Sequence, residues 1–457
     1  MTYMLRLCAT AALLAAGANC LAADRIGNAA ENNLDVPSEQ GIMVGFPPAP
    51  ENLTTLQNQG APRFVRWSIM HSANNFPTAR VSRGTNAISP LPQGRPLDVE
   101  SIQTRDDNGN PISMREFYRR TGLDAMLVLY QGRVVFERYL GDMRPTTLHG
   151  MFSCTKSLVG TLAATLAYEG KLDLSAPAKR YVPELAASAL GGATLQQLLD
   201  MRANYRFGDD IHQSGSVQRI FHQALGVMPR PKDYNGPDGA YALLMSAQPA
   251  GEHGTGPFRY DNGSTQALGW VMQRATGKSM SQLFSERFWS PLGAEQDADM
   301  VLDVKKAEWT AAGMSANLRD LARFGEMMRL DGVFNGKRIV PSEIVADIRK
   351  GGDKAAFAAS PSGPSRPGGS YHNQWWINHD AYDSYNCAGH YGQRVWIAPK
   401  GEAVIVQLST DLGEASAQEP LRQRTYRAIV EALRRTAGNP ATRLTACCDF
   451  STTQEQP

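Results

Sequence analysis

Phe152-Ser153-Cys154-Thr155-Lys156-Ser157 is the stretch on which the reading of this chain turns. It holds the only Ser-x-x-Lys of the sequence and opens an apolar pattern. Leu158, Val159, Leu162, Ala163 and Leu166 keep helical spacing, and Gly170 suits the helix end. Positions i and i+3 share a helical face, so Ser153 Oγ and Lys156 Nζ meet at the mouth of one buried helix. A serine hydroxyl needs a neighbouring base to act as a nucleophile at neutral pH. A lysine is that base only where burial or nearby cations lower its pKa. The helix N-terminus favours both a neutral amine and a developing oxyanion.

The elements around this helix follow from pattern. Met126 to Tyr130 and Val134 to Phe136 read as a hairpin across Gln131-Gly132. Arg394 to Ile397 and Ala403 to Leu408 read as a second, across Pro399-Lys400-Gly401. Leu195 to Met201 and Leu318 to Met328 are the clearest internal helices, and Leu421 to Leu433 a terminal one. Strands at both ends with helices between predict an α+β (α/β) fold. One antiparallel sheet, built from both ends and flanked by helices, carries an inserted helical lobe. The expected organisation is a signal peptide over 1–22 and an irregular Pro/Gly/Asn-rich leader over 24–121. The sheet domain is expected from 122–165 and 335–450, and the lobe, with its site loops, from 166–334.

With 457 residues, 42% hydrophobic and 20% charged, the composition is that of a globular protein. A net charge of +2 gives no reason to expect nucleic acid or an anionic membrane as partner. Arg6, the apolar run Leu7 to Ala18 and the small residues of Cys20-Leu21-Ala22-Ala23 read as a secretory signal cut after Ala22 or Ala23. No later segment is long and apolar enough to span a bilayer. The expected location is therefore periplasmic or secreted. Cys154, Cys387, Cys447 and Cys448 remain after cleavage and allow three pairings; a bond between the adjacent Cys447 and Cys448 would be strained. No His/Cys/Asp/Glu spacing fits a metal site, and neither metal nor organic cofactor is expected.

Two further clusters bear on Ser153. Tyr260-Asp261-Asn262 lies in a Gly/Pro-rich loop: Tyr260 can exchange a proton with the serine–lysine pair, and Asn262 can hold Lys156 or a substrate carbonyl. Gly389-His390-Tyr391-Gly392-Gln393 leads into a strand. There the Gln393 N–H, with that of Ser153, can form an oxyanion hole.

In order and spacing the three clusters resemble the serine β-lactamase and penicillin-recognising superfamily, class C-like branch. Glu169-Gly170-Lys171-Leu172-Asp173-Leu174, Tyr181-Val182-Pro183-Glu184-Leu185, Leu268-Gly269-Trp270-Val271 and Arg319-Asp320-Leu321-Ala322-Arg323-Phe324-Gly325 are similar to 6-aminohexanoate-dimer hydrolase-like and family VIII esterase proteins. The resemblance covers about residues 123–408. It implies that Ser153 forms an acyl-enzyme and that Lys156, alone or with Tyr260, is the base. It further implies that Tyr260 returns the proton to the leaving group, that Asn262 positions Lys156 or the acyl amide, and that His390, Tyr391, Gly392 and Gln393 form a substrate-binding strand edge. The implied activity is hydrolysis of a small ester or amide. A DD-peptidase or weak β-lactamase is the enzymatic alternative, and a non-catalytic penicillin-recognising binding or sensor module the other.

Two departures narrow the substrate. His390 stands where β-lactamases and DD-peptidases of this branch carry lysine, which weakens the expectation of a carboxylate-bearing substrate unless Arg394 compensates. Asp209-Asp210-Ile211 stands where the dimer hydrolases resembled here tend to carry a tyrosine, which shifts the expectation from amides to esters. No Gly-x-Ser-x-Gly elbow is present, which argues against an ordinary α/β-hydrolase.

Overall fold

A computed structural model describes residues 26–27, 36–208, 214–413 and 416–438. The signal-like segment, Asp209-Asp210-Ile211, Cys447, Cys448 and the C-terminal tail lie outside the described residues. No helix among the described residues is long and apolar enough to cross a membrane.

The elements that build the site are, in chain order, β1 (Ile26–Gly27), α1 (Pro62–Met70), β2 (Thr78–Val81), α2 (Met114–Thr121), β3 (Leu123–Tyr130), β4 (Arg133–Leu140), β5 (His149–Gly150) and α3 (Cys154–Tyr168). Then come α4 (Leu195–Leu199), α5 (Ser214–Leu225), α6 (Gly263–Thr276), β6 (Ala298–Val301), β7 (Met314–Ala316) and α7 (Leu318–Arg329). β8 (Ser370–His372), β9 (Trp375–Ile377), β10 (Tyr385–Ala388), β11 (Arg394–Ala398), β12 (Ala403–Ser409) and α8 (Glu419–Gly438) complete the fold.

The main sheet has eight strands in the order β1-β4-β3-β12-β11-β10-β9-β8. Its neighbours are antiparallel except for β1, which runs parallel to β4. β3 and β12 meet in the middle, with Val128 opposite Ile405, so the two ends of the chain close one sheet. β3 explains why. Its Ala125, Leu127 and Leu129 join one core with residues of α3 and α7, while Met126 and Val128 join the other with residues of α8. A strand covered on both faces reads as a continuous apolar run, and a one-residue slip would exchange its faces, so the register is pinned. The β3–β4 turn places Gln131 at φ 50° and Gly132 at φ 77°, the primed geometry that matches strand twist.

α3 is buried from Cys154 to Leu166, and the hydroxyls of its Thr155, Ser157, Thr161 and Thr165 each donate to a backbone carbonyl. At Gly160 a Cβ would collide with the Asn373 carbonyl, so the β8–β9 turn lies directly on the helix.

Three expectations are corrected. The stretch 24–121 is not irregular throughout: it contributes α1, α2 and β2. Residues far away complete these elements, Thr78 to Val81 pairing with Ala298 to Val301. A second, four-stranded sheet of order β2-β6-β7-β5 stands beside the first. α7, expected in the helical lobe, packs on β12, β11 and β3 and belongs to the sheet domain.

Candidate active site

The segment before Ser153 is held by the smaller sheet. Gly150 pairs with Ser315, and Met151 N–H donates to Met314 O at 2.8 Å. Phe152 then takes φ 47°, a left-handed conformation a bulky residue adopts only when its surroundings impose it. Ser153 occupies the N-cap of α3, yet its hydroxyl makes no capping bond and is free for other partners.

Lys156, 1% exposed, has its Nζ 3.1 Å from Ser153 Oγ, 2.7 Å from Asn262 Oδ1 and 2.8 Å from Ala311 O. Burial lowers its pKa from 10.5 to about 7, against an opposing pull from Asp261. Asn262 and Ala311 offer only acceptor oxygens here. A neutral amine has two hydrogens and one lone pair, so its hydrogens go to those oxygens and its lone pair is left facing Ser153.

Asn262 caps α6, and the loop before it is fixed by Asp261. That carboxylate accepts from Tyr205 Oη at 2.6 Å, Ser264 N at 2.6 Å and Ser264 Oγ at 2.9 Å. Gly263 is glycine because a Cβ would run into the Tyr205 hydroxyl. The Tyr260 ring centroid is 5.1 Å from Lys156 Nζ. Burial raises the Tyr260 phenol above its ordinary range, and a hydrogen bond with Ser153 works against that rise. Hydroxyl, amine and phenol therefore share one crevice.

His390–Gly392 forms a 3₁₀ turn ahead of β11 rather than a strand edge. The His390 and Tyr391 rings flank Phe152, with centroids 6.0 and 5.2 Å away. Burial lowers the His390 pKa, although the side chain still reaches solvent. The Gln393 side chain locks the turn, donating to His390 O at 3.1 Å and Ser409 O at 2.7 Å while accepting from Ser409 N at 3.0 Å. Neither the Ser153 nor the Gln393 N–H is taken up by a protein acceptor among the described residues.

The glycines here serve packing: a Cβ at Gly389 would strike Met151 O, and one at Gly392 would come 2.7 Å from the Arg422 guanidinium. Arg394 does not compensate for the missing lysine. It is buried and paired with Glu419, and its Nη1 donates to Gln393 O at 2.7 Å.

Sequence reasoning missed several groups. Ala311 acts through its carbonyl, which leaves no residue-type signal. Arg366 lies 4.5 Å over the Trp376 ring, and Trp376 stacks near Tyr260 at 5.2 Å, forming an aromatic wall with Phe258 and Tyr371. His222 packs on Trp309 at 5.4 Å; burial, aided by Lys156 and His390, lowers its pKa to about 4. Tyr205 and His222 fall in the stretch from Tyr205 to Gly239, whose length and composition were the available hint.

The beta-lactamase family model matches residues 115–428. The 6-aminohexanoate-dimer hydrolase of Paenarthrobacter ureafaciens is 31% identical over 365 residues, 80% of this chain and 90% of its own length. Esterase EstB of Burkholderia gladioli is 27% identical over 219 residues, 45% of this chain and 54% of its own. Among solved structures, the "Putative 6-aminohexanoate-dimer hydrolase from Bacillus anthracis" superposes with a TM-score of 0.78 at 32% identity, over 85% of this chain and 99% of that one.

Proposed function

This chain belongs to the beta-lactamase family and is a serine hydrolase, and we propose that it is exported and cleaves a small ester or amide through an acyl-Ser153 intermediate. One observation carries the mechanism: Lys156 Nζ lies within hydrogen-bond reach of Ser153 Oγ and of two carbonyl oxygens, Asn262 Oδ1 and Ala311 O, so the neutral amine gives its hydrogens to the carbonyls and turns its lone pair to the Ser153 hydroxyl. Ser153 Oγ attacks the substrate carbonyl carbon as its proton passes to Lys156. The oxyanion is received by the Ser153 and Gln393 N–H groups. When the tetrahedral intermediate collapses, Tyr260 hands a proton to the departing alkoxide or amine. Water then attacks the acyl carbon, with the Lys156–Tyr260 pair taking its proton, and Ser153 is released.

The acyl group is small and uncharged where it meets His390. Among the described residues no free cation stands there: burial lowers the His390 pKa, and Arg394 is engaged by Glu419. The neighbouring aromatic wall suits an apolar chain. Relatives named for an amide dimer and for an ester support both leaving groups, and the Asp209-Asp210-Ile211 segment favours the ester. Export rests on the Arg6 to Ala23 pattern.

A panel of p-nitrophenyl esters, short amides and a cephalosporin, with Ser153→Ala as blank, tests the reading. Ester or amide turnover is expected to fall on the order of 10⁴-fold or more in Ser153→Ala. Equal turnover by both proteins would sink the acyl-Ser153 route, and cephalosporin as the best substrate would return it to the lactamase reading. Labelling of Ser153 by a fluorophosphonate without turnover of any substrate would make the protein a sensor.

A further inference from the structure

We propose that Cys154 and Cys387 form an intramolecular disulfide that ties the first turn of the nucleophile helix to the strand feeding the oxyanion turn. Both are free, buried thiols here, 2% and 1% exposed, with their sulfurs 2.6 Å apart. That separation is shorter than unbonded sulfur atoms ordinarily keep and about half an ångström longer than a disulfide bond.

The polar surroundings fit the oxidised pair. In the thiol form Cys387 donates to the Cys154 sulfur, and Cys154 donates to Gln393 O at 3.5 Å. Oxidation removes both hydrogens and strands nothing. Gln393 O keeps donors in Gly389 N–H at 2.9 Å and Arg394 Nη1 at 2.7 Å, and Val395 N–H still donates to the Cys387 sulfur at 3.3 Å.

The position gives the bond its meaning. Cys154 follows Ser153, and Cys387 sits opposite Val395 in the hairpin whose turn ends at Gln393. A crosslink between them fixes the spacing of the two N–H groups assigned to the oxyanion. It also spans 233 positions of chain, the helical lobe among them, and long loops gain most from closure.

The chemistry is two thiol–disulfide exchanges. One cysteine thiolate attacks an oxidant disulfide, a protein dithiol oxidase or oxidised glutathione, and expels one thiol. The second thiolate attacks the mixed disulfide and expels the other, so the two cysteines lose two protons and two electrons and the oxidant becomes two thiols. Burial holds the Cys154 thiol well above its ordinary pKa in the folded protein, so exchange belongs to folding, before the pair is enclosed.

The test uses the full chain refolded with oxidised glutathione or with dithiothreitol, denatured without reductant, alkylated with iodoacetamide and mapped by mass spectrometry. After oxidative refolding, Cys154 and Cys387 are expected unalkylated, in one peptide pair that dithiothreitol separates. The thermal midpoint is expected several degrees higher than after reductive refolding, a difference lost in Cys387→Ala. Alkylation of both residues in the oxidised sample, linkage of either to Cys447 or Cys448, or an undiminished redox shift in Cys387→Ala would each overturn the proposal. None of these readouts depends on turnover.

Discussion

At Lys156 the burial that strains the fold also makes the base. Its amine loses its proton near pH 7, while the unfolded chain holds it to about 10.4. Between those values the unfolded state binds more protons, so this residue's contribution to stability rises with pH through that window, and its penalty is complete below it. Activity follows the same titration: kcat/KM is expected to climb along an acid limb centred near pH 7, and a flat profile from pH 6 to 8 would remove Lys156 as the base. Lys156→Met, which keeps the volume and removes the amine, should lower acylation by about 10³-fold or more, read as the rate of fluorophosphonate labelling. His390 makes the converse case. With its pKa lowered it offers a carboxylate no permanent counter-charge, so His390→Lys should raise kcat/KM for a cephalosporin by roughly tenfold relative to a neutral ester; an unchanged ratio would detach this position from substrate choice. The pair Ser153 and Lys156 was legible because one helical turn sets their meeting. Ala311 was not, since a backbone carbonyl has no letter of its own. The role of Arg394 stayed open because its partner, Glu419, arrives from a helix 25 positions on.

The element that sets the reacting geometry is the β10–β11 hairpin, and it is held from below. Gly389 admits the Met151 carbonyl, and the Gln393 side chain bolts the turn to Ser409 at the end of β12. Gly389→Ala would push the turn away from the Ser153 segment. A displacement near 1 Å at a reacting centre costs about 10²-fold. The expected result is a fall in kcat of that order with KM little changed and the thermal midpoint lowered; a variant with intact kcat would show that the hairpin does not set the oxyanion spacing. The hairpins themselves were readable from Gln131-Gly132 and Pro399-Lys400-Gly401, where turn chemistry is local. The elements of 24–121 were not. β2 is four residues long and amphipathic in no useful period, and its stability comes from residues more than 200 positions away.

The whole molecule is closed by charge as well as by apolar packing. α8 lays its apolar stripe, Leu421, Tyr426, Ile429, Val430 and Leu433, on one face of the sheet. Its first residue, Glu419, inserts between Arg394 of β11 and Arg366 of the loop before β8, the latter 2.6 Å away. One turn on, Arg422 meets Asp411 at 2.5 Å. The C-terminal helix is therefore a keystone for the turn that carries Gln393. Burial alone would raise the Glu419 carboxyl, but the two guanidinium groups override it and hold it far below the usual range. Its contribution is present above the unfolded value of about 4.3 and is lost as pH falls through the depressed folded value. Glu419→Gln leaves two arginines buried against a neutral amide, which should cost about 3–5 kcal/mol, seen as a lower urea midpoint at unchanged slope. Because the variant lacks the titrating carboxyl, it should also lose less stability than the native protein between pH 5 and 3. Equal urea midpoints, or identical acid sensitivity, would mean that the cluster is an ornament of the packing and that apolar contacts alone seat α8 on the sheet.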